Sequence, residues 1–499
     1  MAKLSPPLCL RCLRRTLDPI ERSTPAGLSH RAAFSTSPSH SVNPPKKKSV
    51  VAKPSTRQGR TLRLTKNTRA STAKPPAVGE RKAQRKRVVL SNSNALEVVG
   101  LKDLASEHTR SRQLELHQGQ VLGLSNETVD ALRALEAFKP TQGWSLFRRP
   151  ATLIRKETLT LAGDLEQATE RDATGLAARK DGATDQKEGE AVQRLPVRKV
   201  LFGERGSGKS VLQLQALALA HLENWVVVHV PEAKDLTNAH TSYQPLFGPT
   251  GVTYIQPHYT AKLLENINKA NQPLFSKMRV SQRHNISAPL QPNSTLEQLV
   301  SLGARDPAVA WPVWQALWNE LLLPSNSLSK GEERPPVMFA LDGVDHIMRH
   351  SAYLNTDAVP IHAHELALVE HFVSMLAGKI EFPNGGMLLA ATSESNRASA
   401  HTLDQALANN LAIQDGTQST RYYDPYVAHD ILVRRAMRYV SVQKVRGISK
   451  DEARGIMEYY AKSGILRSTV TDGLIGEKWT LAGGGIVGQI ENGTVRARF

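Results

Sequence analysis

Cysteine is nearly missing from this chain: Cys9 and Cys12 are its only two. A disulfide framework and a four-cysteine zinc site are therefore excluded. The two form a C-x-x-C, which needs a second pair or nearby histidines to hold zinc, and neither is present. Long apolar runs are missing as well. No stretch of about 18 apolar residues occurs, which argues against a membrane-spanning helix. Acids are scarce at the start. Residues 1–90 hold 21 Lys and Arg against 3 Asp and Glu, and the remaining 409 residues hold 43 of each. The net charge of +18 thus sits in an N-terminal tail. A neutral body excludes a basic nucleic-acid groove over the whole fold. Aromatics rarely interleave the tail's charges, so contact with a phosphate backbone is expected there rather than base stacking.

The tail has two parts. Residues 1–34 carry Arg11, Arg14, Arg15, Arg22 and Arg31, several Ser and Thr, and only Asp18 and Glu21 as acids. This is the composition of an organellar transit peptide. Arg31-Ala-Ala-Phe34-Ser-Thr-Ser resembles a mitochondrial processing site with cleavage near Phe34, which would remove both cysteines. Residues 35–95 form a basic arm with Lys46-Lys-Lys48 and Arg81-Lys-Ala-Gln-Arg-Lys-Arg87. Its apolar content is too low for it to fold alone, so it is expected to be disordered. It either neutralises nucleic-acid phosphates or serves as a solvated linker.

The body contains one run that meets a phosphate-binding pattern at every fixed position. Gly203-Glu204-Arg205-Gly206-Ser207-Gly208-Lys209-Ser210 fits G-x-x-x-x-G-K-[ST]. Lys199–Phe202 before it reads as a buried strand, and Val211–Ala220 after it as a helix. Glycines allow a tight turn whose N–H groups converge on a polyphosphate, and the helix N-terminus adds partial positive charge. Lys209 is expected on the β/γ-phosphates and Ser210 on Mg²⁺. The nucleotide-binding set is Gly203 to Ser210 with Val211.

A second element matches it. Val337-Met-Phe-Ala-Leu341-Asp342 is an apolar strand ending in an acid, the Walker B pattern. A carboxylate there shares the Mg²⁺ with Ser210. Gly386–Ala391 reads as a further strand. Thr392, Ser393 and Asn396 after it are candidates for a γ-phosphate sensor, although turn capping accounts for them equally well. Many hydrolases place Glu directly after the Walker B acid. Here Gly343 follows, and Asp345 is the candidate to substitute as catalytic base. Slow hydrolysis or none is expected. The [NT]-K-x-D guanine signature is lacking, because Asn268-Lys269-Ala270-Asn271 ends in Asn. Guanine and adenine are therefore not distinguished by residues.

The expected architecture is α/β. Residues 96–194 form an N-terminal helical region, with a helix over Glu127–Phe138, and then a polar linker over 163–194. Residues 195–423 form a P-loop NTPase core of the AAA/STAND type around a parallel sheet that includes Trp225–Val230. Trp311, Trp314 and Trp318 read as core packing. The histidines at 346, 350, 362, 364 and 371 read as surface or hydrogen-bonded groups, because Leu368 breaks H-E-x-x-H. Residues 424–499 read as a C-terminal winged-helix-like module. Its helices would be Val427–Val442 and Asp451–Ser463, followed by a β-ribbon of Trp479–Leu481 and Ile486–Ile490.

Taken in order, three runs resemble the death-associated-protein-3 family, in its fungal form. They are Gly203–Ser210, Trp225-Val-Val-Val-His-Val-Pro-Glu232 with Asp235-Leu-Thr-Asn238, and Phe339-Ala-Leu-Asp-Gly-Val-Asp345. Leu135-Glu-Ala-Phe138 and Ala453-Arg-Gly-Ile-Met-Glu-Tyr-Tyr460 are similar too, so the resemblance spans roughly residues 125–499. It implies a structural protein of the mitochondrial small ribosomal subunit, in the matrix, holding GTP or GDP with Mg²⁺ as a structural ligand or slow switch. The implied partners are small-subunit rRNA and neighbouring ribosomal proteins, with large-subunit contacts as a further expectation. The competing reading is a catalytic mitochondrial AAA-type ATPase acting as chaperone or nucleic-acid remodeller.

Overall fold

The computed structural model describes residues 88–177, 197–248, 251–287, 291, 293–325, 333–395 and 397–496. The transit-peptide reading, most of the basic arm, the end of the polar linker and Asn396 lie outside these residues.

Five strands build the central sheet: β1 Val197–Phe202, β2 Val226–Val230, β3 Val337–Asp342, β4 Gly386–Ala391 and β5 Ser441–Lys444. All neighbours are parallel, in the order β5-β1-β4-β3-β2. Parallel strands need crossovers, and the crossovers put helices on both faces. Alternation along the strands divides the core accordingly. Val228, Phe339, Leu341, Leu388 and Ala390 face one side, where they meet helices Pro257–Ala270, Leu296–Arg305, Ala310–Leu321 and Ala367–Leu376. Val227, Met338, Ala340, Leu389 and Ala391 face the other, against Asn126–Ala134, Lys156–Ala177 and Lys209–Leu222. Trp314 and Trp318 are fully buried in the first layer, as expected of core packing.

A third, smaller core joins Phe147 and Leu153 to Ile456, Met457, Tyr460, Ile475 and Ile490. Here the β-ribbon expectation is overturned. Asp472–Leu481 and Val487–Thr494 are both α-helices. Thr471 caps the first by accepting from the Leu474 amide at 3.3 Å. The glycines at 483–485 all have positive φ and turn the chain between two helices rather than two strands. The helix expected over Val427–Val442 is also cut short. It spans Ile431–Ala436, and Ser441–Lys444 becomes edge strand β5.

The polar linker expectation fails over its first half, because one helix runs from Lys156 to Ala177. Its buried residues Leu161, Leu165 and Ala168 are spaced for one narrow apolar stripe, so low overall apolar content concealed the helix. Among the described residues, no helix is long and apolar enough to cross a membrane.

Candidate functional site

Register brings the candidate groups to one sheet edge. Ala391 of β4 pairs with Leu201 of β1 on one side and with Asp342 of β3 on the other. The carboxyl ends of three strands are therefore level, and ligands of open α/β sheets bind at such ends. Backbone bonds continue the pairing past the strands. The Thr392 amide donates to Leu201 O at 2.9 Å, and the Gly343 amide to Ala391 O at 2.8 Å.

The glycine loop leaves β1 and enters helix Lys209–Leu222. Gly206 and Gly208 have φ of 81° and 95°, which a side chain rarely adopts. Gly203 lies against the residue that follows β5: a Cβ there would stand 2.3 Å from the Val445 carbonyl oxygen. Glu204, Arg205 and Gly206 are exposed at the tip, Val211 is half-buried, and Ser207 and Lys209 are buried. Lys209 Nζ spans the loop, donating to Gly203 O at 2.6 Å and Glu204 O at 2.9 Å. Burial pushes its ammonium pKa down, while the charges of Glu394, Asp342 and Asp345 draw it up. The lysine is thus buried within the reach of three acids.

Ser210 Oγ donates to Asp342 Oδ2 at 2.7 Å, joining positions 132 apart in the sequence. This contact unites the two motifs read from sequence. Both atoms are oxygens of the kind that hold Mg²⁺, so the donor set fits that ion. The same Asp342 oxygen also accepts from Lys139 Nζ. Sequence reasoning missed Lys139. It follows helix Asn126–Ala134, whose trailing turn is pinned by His229 Nδ1–H donating to Leu135 O at 3.1 Å. Burial holds His229 near pKa 4, hence neutral, and the carbonyl acceptor fixes its tautomer.

Asp345 is fully buried. Its Oδ2 accepts from the Ser393 amide at 2.7 Å. Burial pushes its pKa up to about 6, opposed by that hydrogen bond. Asp345 Oδ1, Thr392 Oγ1 and Ser207 Oγ are buried with no hydrogen-bond partner among the described residues. Three such atoms along one edge are unusual in a folded interior. The Ser393 contact is made through its backbone amide.

A second missed residue braces the loop from behind. Arg155 Nη1 donates to Ser207 O and Nη2 to Arg446 O, both at 2.7 Å, and Nε meets Glu157 at 2.9 Å. No spacing rule connects Arg155 to a loop some fifty residues later, so only the fold reveals it. The expected histidine roles are mixed. His362 pairs with Asp430 at 2.9 Å, and no group of three or more possible metal ligands occurs among the described residues. A hollow of ≈ 900 Å³ lies elsewhere, between Ser111–Gln118 and Lys156–Gln167, and includes none of the loop residues.

Residues 183–493 match the family described as mitochondrial ribosomal death-associated protein 3. A Neurospora crassa protein named small ribosomal subunit protein mS29 is 40% identical over 427 residues, covering 85% of this chain and 84% of its own. The Schizosaccharomyces pombe protein of that name is 22% identical, over 74% of this chain and 69% of its own. Its Bos taurus namesake is 25% identical, over 39% of this chain and 48% of its own. With the family matched over more than half its length, and with a relative at 40% identity, this chain belongs to the mitochondrial ribosomal death-associated protein 3 family.

Proposed function

We propose that this chain is a structural constituent of the mitochondrial small ribosomal subunit, in the matrix, and that its glycine loop holds GTP or GDP with Mg²⁺ as a structural ligand or slow switch. The ribosomal part rests on the family and on relatives named as small-subunit proteins. Partners follow from that place: small-subunit rRNA, adjoining ribosomal proteins and, at the subunit interface, the large subunit.

The nucleotide part rests on one observation above all, the 2.7 Å contact between Ser210 and Asp342 at the level ends of β1 and β3. A P-loop NTPase reading accounts for it together with the positive-φ glycines and the buried lysine. In that reading the loop amides and Lys209 bind phosphate, and Ser210 and Asp342 hold the metal. The bound metal would supply charge neutralisation of the phosphates. Thr392 Oγ1 would find its partner in the ligand. Choice of guanine comes from the family resemblance.

Hydrolysis is expected to be slow. Asp345 is the candidate base, but it is fully buried and its Oδ2 is committed to the Ser393 amide. A general base must reach the proton that it abstracts.

Sucrose-gradient fractionation of mitochondrial lysate tests the reading, with nucleotide extracted from the peak that holds this protein. Co-migration with the small subunit, carrying about one guanine nucleotide per protein as a single tight site requires, supports it. A free oligomeric peak carrying ADP supports the AAA-type ATPase instead and removes the ribosomal proposal.

A further inference from the structure

We infer that residues 421–439 present a surface for unpaired ribosomal RNA, with Arg434, Arg435 and Arg438 on its phosphates and Tyr422, Tyr426 and Tyr439 against its bases. The inference rests on the ribosomal reading above and deepens it by naming a surface that meets the RNA.

The body of the chain is neutral, but this stretch is not. It holds four arginines, two aspartates and four of the chain's ten tyrosines, so charge and rings interleave here as they do not in the basic tail. Ile431, Arg434, Arg435 and Arg438 recur at intervals of three and four residues, which puts them on one face, and all four are exposed. Val433, Ala436 and Met437 are buried on the other. Both aspartates are engaged elsewhere. Asp430 caps the helix, accepting from the Leu432 amide at 2.8 Å, and pairs with His362. Asp424 accepts from the Tyr426 amide at 2.9 Å. Among the described residues no carboxylate pairs with Arg434, Arg435 or Arg438.

The rings lie among these cations. Tyr422, Tyr426 and Tyr439 are 64%, 96% and 50% exposed. The Arg434 guanidinium lies 4.1 Å over the Tyr423 ring, and that of Arg438 lies 5.3 Å over the Tyr439 ring. A guanidinium stacked on a ring keeps its N–H edge for a phosphate. A single strand offers one phosphate per nucleotide between flat bases, and alternating guanidinia and rings match that pattern.

The surface is also braced. Asn410 Nδ2 donates to Met437 O at 2.8 Å and to Val440 O at 3.1 Å, while its Oδ1 accepts from Arg421 Nε at 3.0 Å. Arg421 Nη2 donates to Arg438 O, and Asn409 Nδ2 to Tyr422 O at 2.7 Å. One helix, His401–Gln414, thus holds both ends of the stretch and sets Tyr422 beside Tyr439.

The test is titration of the full chain with a labelled oligouridylate of about 20 nucleotides, which is longer than one binding site. The triple variant Arg434→Gln, Arg435→Gln, Arg438→Gln should bind about tenfold or more weakly, and its salt slope should be smaller by about 2. Tyr426→Ala should weaken binding about tenfold with the slope unchanged, and should leave binding to an adenylate–uridylate duplex as it was. Lys102→Gln, Arg110→Gln, Arg112→Gln removes the same charge from three other exposed positions and should have a much smaller effect. Equal losses in the two triple variants, or native binding by Tyr426→Ala, overturn the inference.

A second measurement uses small subunits purified from mitochondria and irradiated with ultraviolet light. Peptides from residues 421–439 should carry nucleotide adducts. If exposed Lys444 crosslinks chemically to a neighbouring protein while the stretch carries no adduct, the surface serves a protein and the inference falls. Absence of the chain from the particle would instead defeat the ribosomal reading itself.

Discussion

The amide of Gly488 donates to the carbonyl of Gly206 at 2.9 Å, tying the first turn of the last described helix to the tip of the glycine loop. The two backbones touch because neither residue has a side chain. A Cβ on Gly488 would stand 3.2 Å from Gly206 Cα and 3.3 Å from its oxygen. The C-terminal helices therefore form one wall of the site.

Gly488→Val should separate these backbones. Both are held by their own elements, so the strain is not relieved by a flexible side chain. The expected loss is about 1–3 kcal/mol in urea unfolding, the usual cost of overpacking a tight contact. Nucleotide affinity should fall with it. An unchanged urea midpoint would mean that the helix does not rest on the loop in solution.

Acid should unfold the protein through its buried histidines. Burial pushes His229 and His371 down to about 4 and His364 to about 3. Their contribution is fully present above the ordinary histidine pKa of about 6.5 and is lost as pH falls toward 4. Asp345 acts with the opposite sign. Its raised pKa of about 6 gives a contribution that is present below about 4 and lost as pH rises through 6. Three groups outweigh one, so stability should fall between pH 6.5 and 4. His371→Phe should flatten that fall by about one proton's worth of slope. Asp345→Asn should stabilise the protein at pH 7.5 by about 3 kcal/mol at most, the gain vanishing near pH 4. Equal effects of Asp345→Asn at both pH values would show that the carboxylate carries no burial penalty.

Glu320 and Arg334 form an ion pair at 2.8 Å with both side chains fully buried. Glu320 Oε1 also accepts from the amides of Ser281 and Gln282 and meets His284 at 2.9 Å. It thus fastens the segment after Met278 to the tryptophan-bearing helix. Glu320→Ala should cost about 3–5 kcal/mol, because it leaves a guanidinium buried without its partner. The double variant Glu320→Ala with Arg334→Met should lose less than Glu320→Ala alone. If the double variant is the less stable of the two, the stranded charge is not the source of the cost.

The candidate edge was legible in sequence to the extent that it depends on local chemistry. The apolar runs of β1 to β4 are bounded by Gly, Pro or an acid, and their strands fall where the runs do. The spacing of Gly203 to Ser210 states which backbone positions need freedom. It does not state why, and at Gly203 the reason is the Val445 carbonyl just after β5. That strand was hidden because Ser441–Lys444 is a short edge with only Val442 buried. The last two helices were misread because Trp479-Thr-Leu and Ile486–Ile490 carry β-forming residues, while their helical packing against Ile448 and Tyr460 is tertiary. Lys139 and Arg155 were invisible for the same reason: each acts on a motif far away in sequence, and neither has a spacing that marks it.

Arg155 offers the sharpest test of how the loop is held. Its planar fork reaches Ser207 O on one nitrogen and Arg446 O on the other, so one side chain clamps the loop to the chain that follows β5. A lysine keeps the charge but is a single point and cannot bridge both carbonyls. Arg155→Lys should therefore leave one of the two carbonyls without its donor and cost about 1–3 kcal/mol if that is the buried Ser207 carbonyl. The loss should be local as well. Amide exchange over 203–210 should speed up and nucleotide binding should weaken, while amides of helix Ala310–Leu321 on the far face keep their protection. Faster exchange in both regions alike would make Arg155 a general stabiliser of the fold, not a brace of the loop.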